Sequence, residues 1–89
     1  MKVSDGFILR EIAGETIAIP SGDAARELSG LVALNETGKF LFELLQKDTT
    51  EAKLVETLLE EYDATPEDAQ RDVADFLDML RGGGILIED

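Results

Sequence analysis

The chain predicts an α+β fold, a three-stranded antiparallel sheet followed by three α-helices. Three observations carry that reading. Short β-prone runs fill the first third of the 89 residues. Apolar residues at helical spacing fill the rest. Between them, an apolar run at 31–34 passes without a linker into Asn35-Glu36-Thr37-Gly38. Asn35 is suited to accept from the free N–H groups of a first helical turn, and Glu36 lies favourably against the helix dipole. Strand and helix are thereby joined at a fixed angle.

The elements follow in order. Residues 7–12 and 15–19 are strand-like and flank Ala13-Gly14, which permits a tight hairpin with glycine supplying positive φ. In the second run Ile17 and Ile19 share a face with Glu15, and Thr16 and Ala18 share the other, so one face is deeply buried. Pro20 ends the strand because it has no N–H for a central ladder. Residues 21–29 form a polar connection, and the third strand occupies 30–34. The first helix covers 36–46 with Phe40, Leu41, Leu44 and Leu45 as its inward stripe. Phe42 falls off that stripe, on a second contact face or exposed. A second helix runs from Thr49-Thr50 to Tyr62 on Leu54, Val55, Leu58, Leu59 and Tyr62. The third opens at Thr65-Pro66-Glu67-Asp68, an N-cap, a first-turn proline and two acidic groups. Ala69, Val73, Phe76, Leu77 and Leu80 continue it to Gly82-Gly83-Gly84, after which Ile85-Leu86-Ile87 returns as a short strand or apolar clasp.

A chain of this length makes one domain, residues 1–89, with one modest core and little room for an enclosed active site. There is no cysteine, hence no disulfide framework. No apolar stretch reaches a membrane span, and the first residues lack a signal-peptide core, so the expected location is cytoplasmic. Twenty acidic against eight basic side chains give a net charge of −12, a poor match for phosphate backbones.

Chemistry is excluded by residue type. Without histidine or cysteine there is no His-based acid–base pair, no Ser-His-Asp or Cys-His nucleophile and no common zinc or haem ligand set. Gly82-Gly83-Gly84 follows a helix and lacks the spacing of a phosphate loop. The acidic run 60–68 lacks the order of a calcium loop. None of Ser4, Ser21 and Ser29 opens a helix as an acyl-carrier serine must. No enzymatic activity, metal or cofactor is expected. A DNA-reading third helix at 66–81 would present five carboxylates against two arginines, so no nucleic-acid binding is expected either. Protein or peptide binding remains. The third strand lacks charged or proline gatekeepers and is either covered in the fold or open to an extended peptide.

The ordered series Gly6-Phe-Ile-Leu-Arg-Glu-Ile12, Leu34-Asn-Glu-Thr-Gly38, Asp72-Val-x-x-Phe-Leu77 and Gly84-Ile-Leu86 resembles the PqqD-like family across nearly the whole chain. These small winged-helix-like domains are also called RiPP recognition elements, after the ribosomally made and post-translationally modified peptides they serve. The resemblance implies a stand-alone adaptor that captures the leader of a precursor peptide as an added strand. The adaptor presents it to a modifying enzyme, often a radical S-adenosylmethionine (radical SAM) protein, or to a leader peptidase. Carried onto this sequence, the strand edge is Leu31, Val32, Ala33 and Leu34, and the groove wall is Asp72, Phe76 and Met79 on the third helix. Asp72 is then available to pair with a basic leader residue or to close a local network. The competing reading is a winged-helix module of transcription regulation acting through protein contacts. Monomer and weak homodimer both stay open, since a free edge also suits a second copy.

Overall fold

In the computed structural model, which describes residues 1–4, 6–20 and 32–88, the elements are β1 (Lys2–Val3), β2 (Phe7–Ile12), β3 (Glu15–Pro20), β4 (Val32–Leu34), α1 (Glu36–Leu44), α2 (Glu51–Glu61), α3 (Pro66–Gly82) and β5 (Leu86–Ile87). The N-terminal three-stranded antiparallel sheet has the order β2-β3-β4, and the three helices follow it in a winged-helix-like arrangement. The third strand predicted over 30–34 is described only from Val32 onward. Leu31 and the connection at 21–29 lie outside the described residues.

Ala13 and Gly14 close the β2–β3 hairpin with φ of 54° and 83°. Positive φ at both central residues is the signature of a type I′ turn, whose twist matches that of the flanking strands. The register then runs without a bulge from Ile12↔Glu15 to Phe7↔Pro20. In such a hairpin the pair next to the turn exchanges both hydrogen bonds, and bonded and non-bonded pairs alternate from there. Arg10↔Ile17 and Ile8↔Ile19 are therefore bonded pairs, and Phe7↔Pro20 is a non-bonded one. Proline, with no N–H, falls where β2 asks for none.

The sheet lays one face on the helices. Ala18 is fully buried there and Leu34 nearly so, with Phe7, Leu9 and Val32 packed beside them. It is the Thr16–Ala18 side of β3 that meets the core, while Ile17 and Ile19 stay half-buried on the opposite side. Phe42 of α1, off the helix's main stripe, is completely buried and sets its ring edge-on to Phe7, 6.1 Å away at 72°. Burying such a ring is worth about 1.5–3 kcal/mol, and it binds α1 to the sheet. Leu41 and Leu45 join Leu54, Leu58, Val73, Leu77 and Leu80 in the same buried core. Phe40 and Leu44 are half-buried at its margin. So are Val55, Leu59 and Tyr62 of the second helix, where Tyr62 meets Phe40 edge-on at 5.4 Å.

The helix starts are built as the sequence implies. Thr50 accepts from Lys53 N at 3.1 Å and Thr65 from Asp68 N at 3.1 Å, with Pro66 in the first turn of α3. Gly83 caps α3, and Gly84, at φ 71°, turns the chain back. The returning segment is a strand, β5, and it pairs antiparallel with β1 in the register Lys2↔Ile87 and Val3↔Leu86. β1 has no sequence signature. Two residues become a strand because Val3 N donates to Leu45 O at 2.9 Å and Ser4 N to Ile85 O at 2.7 Å. The packing of Val3 and Ile85 into the core then holds them there.

Candidate peptide-binding edge and groove

β4 is bonded to β3 on one side only, and among the described residues nothing pairs with its other edge. The register decides which groups that edge offers. Ile17 exchanges its bonds with Arg10 of β2, so the main-chain groups of Thr16 and Ala18 point the other way, to β4. The partners Leu34 and Val32 are thus the bonded positions. Ala33, opposite Ile17, directs both its N–H and its C=O outward. The sequence alone left the choice between Val32 and Ala33 open, and the turn type resolves it. Side chains alternate accordingly, with Val32 and Leu34 toward the core and Ala33 exposed.

At the end of β4 the chain enters α1 through Asn35, whose extended backbone (φ −77°, ψ −179°) and side chain make the cap. Its Oδ1 accepts from Gly38 N at 2.7 Å. Gly38 is buried between Leu34 and Phe76. A Cβ built on it would lie 3.6 Å from the Leu34 Cβ and 3.3 Å from Phe76 Cε1. The absent side chain lets the third helix close on the strand–helix joint.

Two hollows meet at Asn35. One, of about 320 Å³, is lined by Asn35, Thr37, Gly38 and Leu41 on one wall and by Asp72, Asp75, Phe76 and Met79 of α3 on the other. Phe76 is half-buried and Met79 is 45% exposed, so neither is simple core. Phe76, expected on the core stripe of α3, yields that place to Ala69, Val73, Leu77 and Leu80 and faces the groove instead. Neither Asp72 nor Asp75 takes part in an ion pair among the described residues, whereas Asp68 and Asp78 pair with Arg71 and Arg81. The second hollow, of about 450 Å³, is lined by Ala33, Leu34, Asn35 and Glu36, by Lys39, and by the hairpin end with Glu11, Gly14, Glu15 and Thr16. Lys39 Nζ lies 3.7 Å from Glu11 Oε1, which ties the hairpin to α1.

The structure thus brings Asp72, Phe76 and Met79 together in one groove. It places Ala33 and Leu34 in the adjoining hollow, with Val32 lining neither. Asn35, Thr37 and Asp75 also belong to the groove. Sequence reasoning gave Asn35 a capping role alone, and Asp75 was findable, since it precedes Phe76 and stands three residues from Asp72 on the same flank. The joint surface sets Ala33, Leu34, Phe76 and Met79 among the carboxylates Glu11, Glu15, Glu36, Asp72 and Asp75, with Lys39 the one cation among the described lining residues. It suits an extended chain with apolar and basic side chains.

Among the described residues no polar or charged side chain is buried, and no group of three or more potential ligands is placed to hold a metal ion. No described helix is long and apolar enough to cross a membrane.

The sequence model for the family described as "Coenzyme PQQ synthesis protein D (PqqD)" matches residues 15–86. The chain belongs to the PqqD family. Two solved structures share the fold. One, titled "TbiB1 in Complex with the TbiA(beta) Leader Peptide", is similar over 100% of both chains with a TM-score of 0.74 and 23% identity. The other, titled "Lasso peptide synthetase B1 complexed with the leader peptide", has a TM-score of 0.72 and 17% identity over 98% of this chain and 96% of its own. No curated protein matches the chain. The PqqD match runs from the start of β3 through the three helices to Leu86 at the start of β5.

Proposed function

We propose that this PqqD-family chain, one domain over residues 1–89, is a peptide-binding adaptor of RiPP biosynthesis. It captures the leader of a ribosomal precursor and presents it to a modifying enzyme, a radical SAM protein or a leader peptidase, in the cytoplasm. The observation that carries this is the outward N–H and C=O of Ala33 on an ungated edge strand, beside a groove walled by Asp72, Phe76 and Met79. The leader adds as a further strand along β4, and its main chain bonds to Ala33. Its apolar side chains reach Phe76 and Met79, and a basic side chain reaches Asp72 or Asp75. The two similar structures, both titled as leader-peptide complexes, support the assignment.

The adaptor does no bond-making itself. It raises the local concentration of the precursor near another protein's active site and fixes its orientation. The acidity of α3, with five carboxylates against two arginines, speaks against a duplex-reading role.

The test is a titration of the pure protein with a synthetic leader, the N-terminal segment of the short precursor encoded beside its gene. Saturable binding by the wild type, weakened roughly tenfold on changing Ala33 to proline, is the expected result. A wild type that binds no leader, turns over a substrate alone, or holds duplex DNA near physiological salt overturns the reading.

A further inference from the structure

A solvated face of an antiparallel sheet ordinarily alternates to polar residues. The face of β2-β3-β4 turned away from the helices does so only at Arg10 and Glu15. Strand parity places Ile8, Arg10 and Ile12 of β2, Glu15, Ile17 and Ile19 of β3 and Ala33 of β4 on it together. Ile8 is 43% and Ile12 50% exposed, and Ile17 and Ile19 are half-buried. In the middle stands Arg10, opposite Ile17 and without an ion pair among the described residues. Glu15 shares this face but makes no ion pair with Arg10, and in a chain of charge −12 a guanidinium left unpaired among four isoleucines is more than a solubility device. An exposed aliphatic patch centred on arginine has the composition of an interface core.

Two features choose the occupant. A second copy would bring together two bodies of charge −12, so self-association is disfavoured. Arg10 calls for a carboxylate within an otherwise aliphatic partner surface. In addition, this face ends at Ala33, whose backbone is the peptide-binding edge. A leader strand added there widens the sheet, and every second leader side chain falls on the same outer face beside Ala33 and Ile17. We infer that the outer face of the sheet docks the modifying enzyme, through an aliphatic surface carrying a carboxylate that meets Arg10. The enzyme is thereby seated on adaptor and leader at once. This rests on the proposed adaptor function and adds its second surface.

The experiment uses the purified full chain, the synthetic leader and the purified modifying enzyme encoded with the precursor. Ile8→Thr/Ile19→Thr keeps two β-branched residues at a cross-strand pair, so the sheet is retained. Arg10→Glu reverses the central charge. Both variants are expected to hold leader within about twofold of wild type, because the sites are separate. Both should bind the enzyme at least roughly tenfold more weakly, as loss of a central interface residue does. Wild-type adaptor should bind enzyme more tightly with leader present than without. Unchanged enzyme binding in both variants overturns the proposal. So does a wild-type dimer, seen by sedimentation, that the isoleucine variant abolishes, since the occupant is then a second copy. A wild type that binds no leader removes the adaptor reading instead, and the binary leader titration tells the two failures apart.

Discussion

Phe76 rests its ring against the backbone of Gly38, so that a Cβ on the glycine would stand 3.3 Å from Cε1 and 3.1 Å from the Asn35 Oδ1. The same contact closes the helices on the strand–helix joint and sets the floor of the groove. Gly38→Ala brings opposing effects. Alanine is better than glycine inside a helix by up to about 1 kcal/mol, while the crowding must be relieved by a few tenths of an ångström. Asn35 is held by its cap bond, so the half-buried Phe76 ring moves, into the groove. Stability by urea denaturation should change by less than about 1 kcal/mol. Leader affinity should fall by more than that stability change explains.

The two proline substitutions on β4 should separate cleanly. Val32 N–H faces Ala18 and belongs to the ladder, so Val32→Pro loses a sheet bond and clashes, at a cost of about 3 kcal/mol or more. Ala33 N–H faces outward, and Ala33→Pro should melt close to wild type yet bind leader roughly tenfold more weakly, the equivalent of one lost hydrogen bond plus sterics. Thermal melts and leader titrations check both. Normal leader binding by a folded Ala33→Pro variant rules out strand addition at this edge.

On the groove wall, Met79→Asp should leave the fold intact, because the side chain is already 45% exposed. It should weaken leader binding by removing an adaptable apolar contact. Asp72→Asn should act differently, reducing the salt dependence of binding more than the affinity at high salt.

The hairpin carries a correctable strain. Ala13 sits at φ 54°, in the left-handed region that disfavours a side chain with a plain Cβ. Ala13→Asn restores the Asn-Gly pair preferred by a type I′ turn and should stabilise the domain by about 1 kcal/mol, with leader binding unchanged. A lower melting temperature would contradict the turn assignment.

Acid should loosen the C-terminal return. Arg81 donates to Glu88 through Nε at 3.0 and 3.1 Å and Nη2 at 2.7 Å, and to Asp78 through Nη1 at 2.8 Å. These bonds hold the Glu88 carboxyl below the usual carboxylate range. A depressed folded-state pKa means that the unfolded chain takes up the proton first. The contribution is therefore complete above the ordinary glutamate value and lost as pH falls through the lowered one. Melting temperature should drop on acidification below about pH 4.5, and Glu88→Gln should drop less over that interval. High salt should narrow the difference, because the groups are exposed.

Most of the fold was legible because its boundaries are chemically punctuated. Ala13-Gly14, Pro20, Asn35, Thr65-Pro66 and the glycine triplet each act through local backbone preference, which a sequence displays. What was not legible depends on distant partners. β1 is a strand only because β5 returns beside it. Phe42 is buried only because Phe7 comes to meet it from the sheet. Helical spacing alone sets Phe76 at the border of core stripe and groove flank, and the close approach at Gly38 is what turns it to the groove. The candidate site divides in the same way. Asp72, Phe76 and Met79 share a helix flank that periodicity reveals, but the outward direction of Ala33 follows from turn type and unbroken register, which are properties of the folded sheet.

The pairing of β1 with β5 has a topological consequence. Adjacent strands lie about 4.8 Å apart, so the chain's first and last described segments leave the domain as neighbours. A domain closed in this way can be spliced into a surface loop of a host protein without prying the host's backbone apart. It can also be rejoined end to end and reopened elsewhere, at the exposed turn around Lys47 for example. Neighbouring ends therefore let this fold be carried as a cassette within a larger polypeptide. The short β1–β5 ladder acts as its seam.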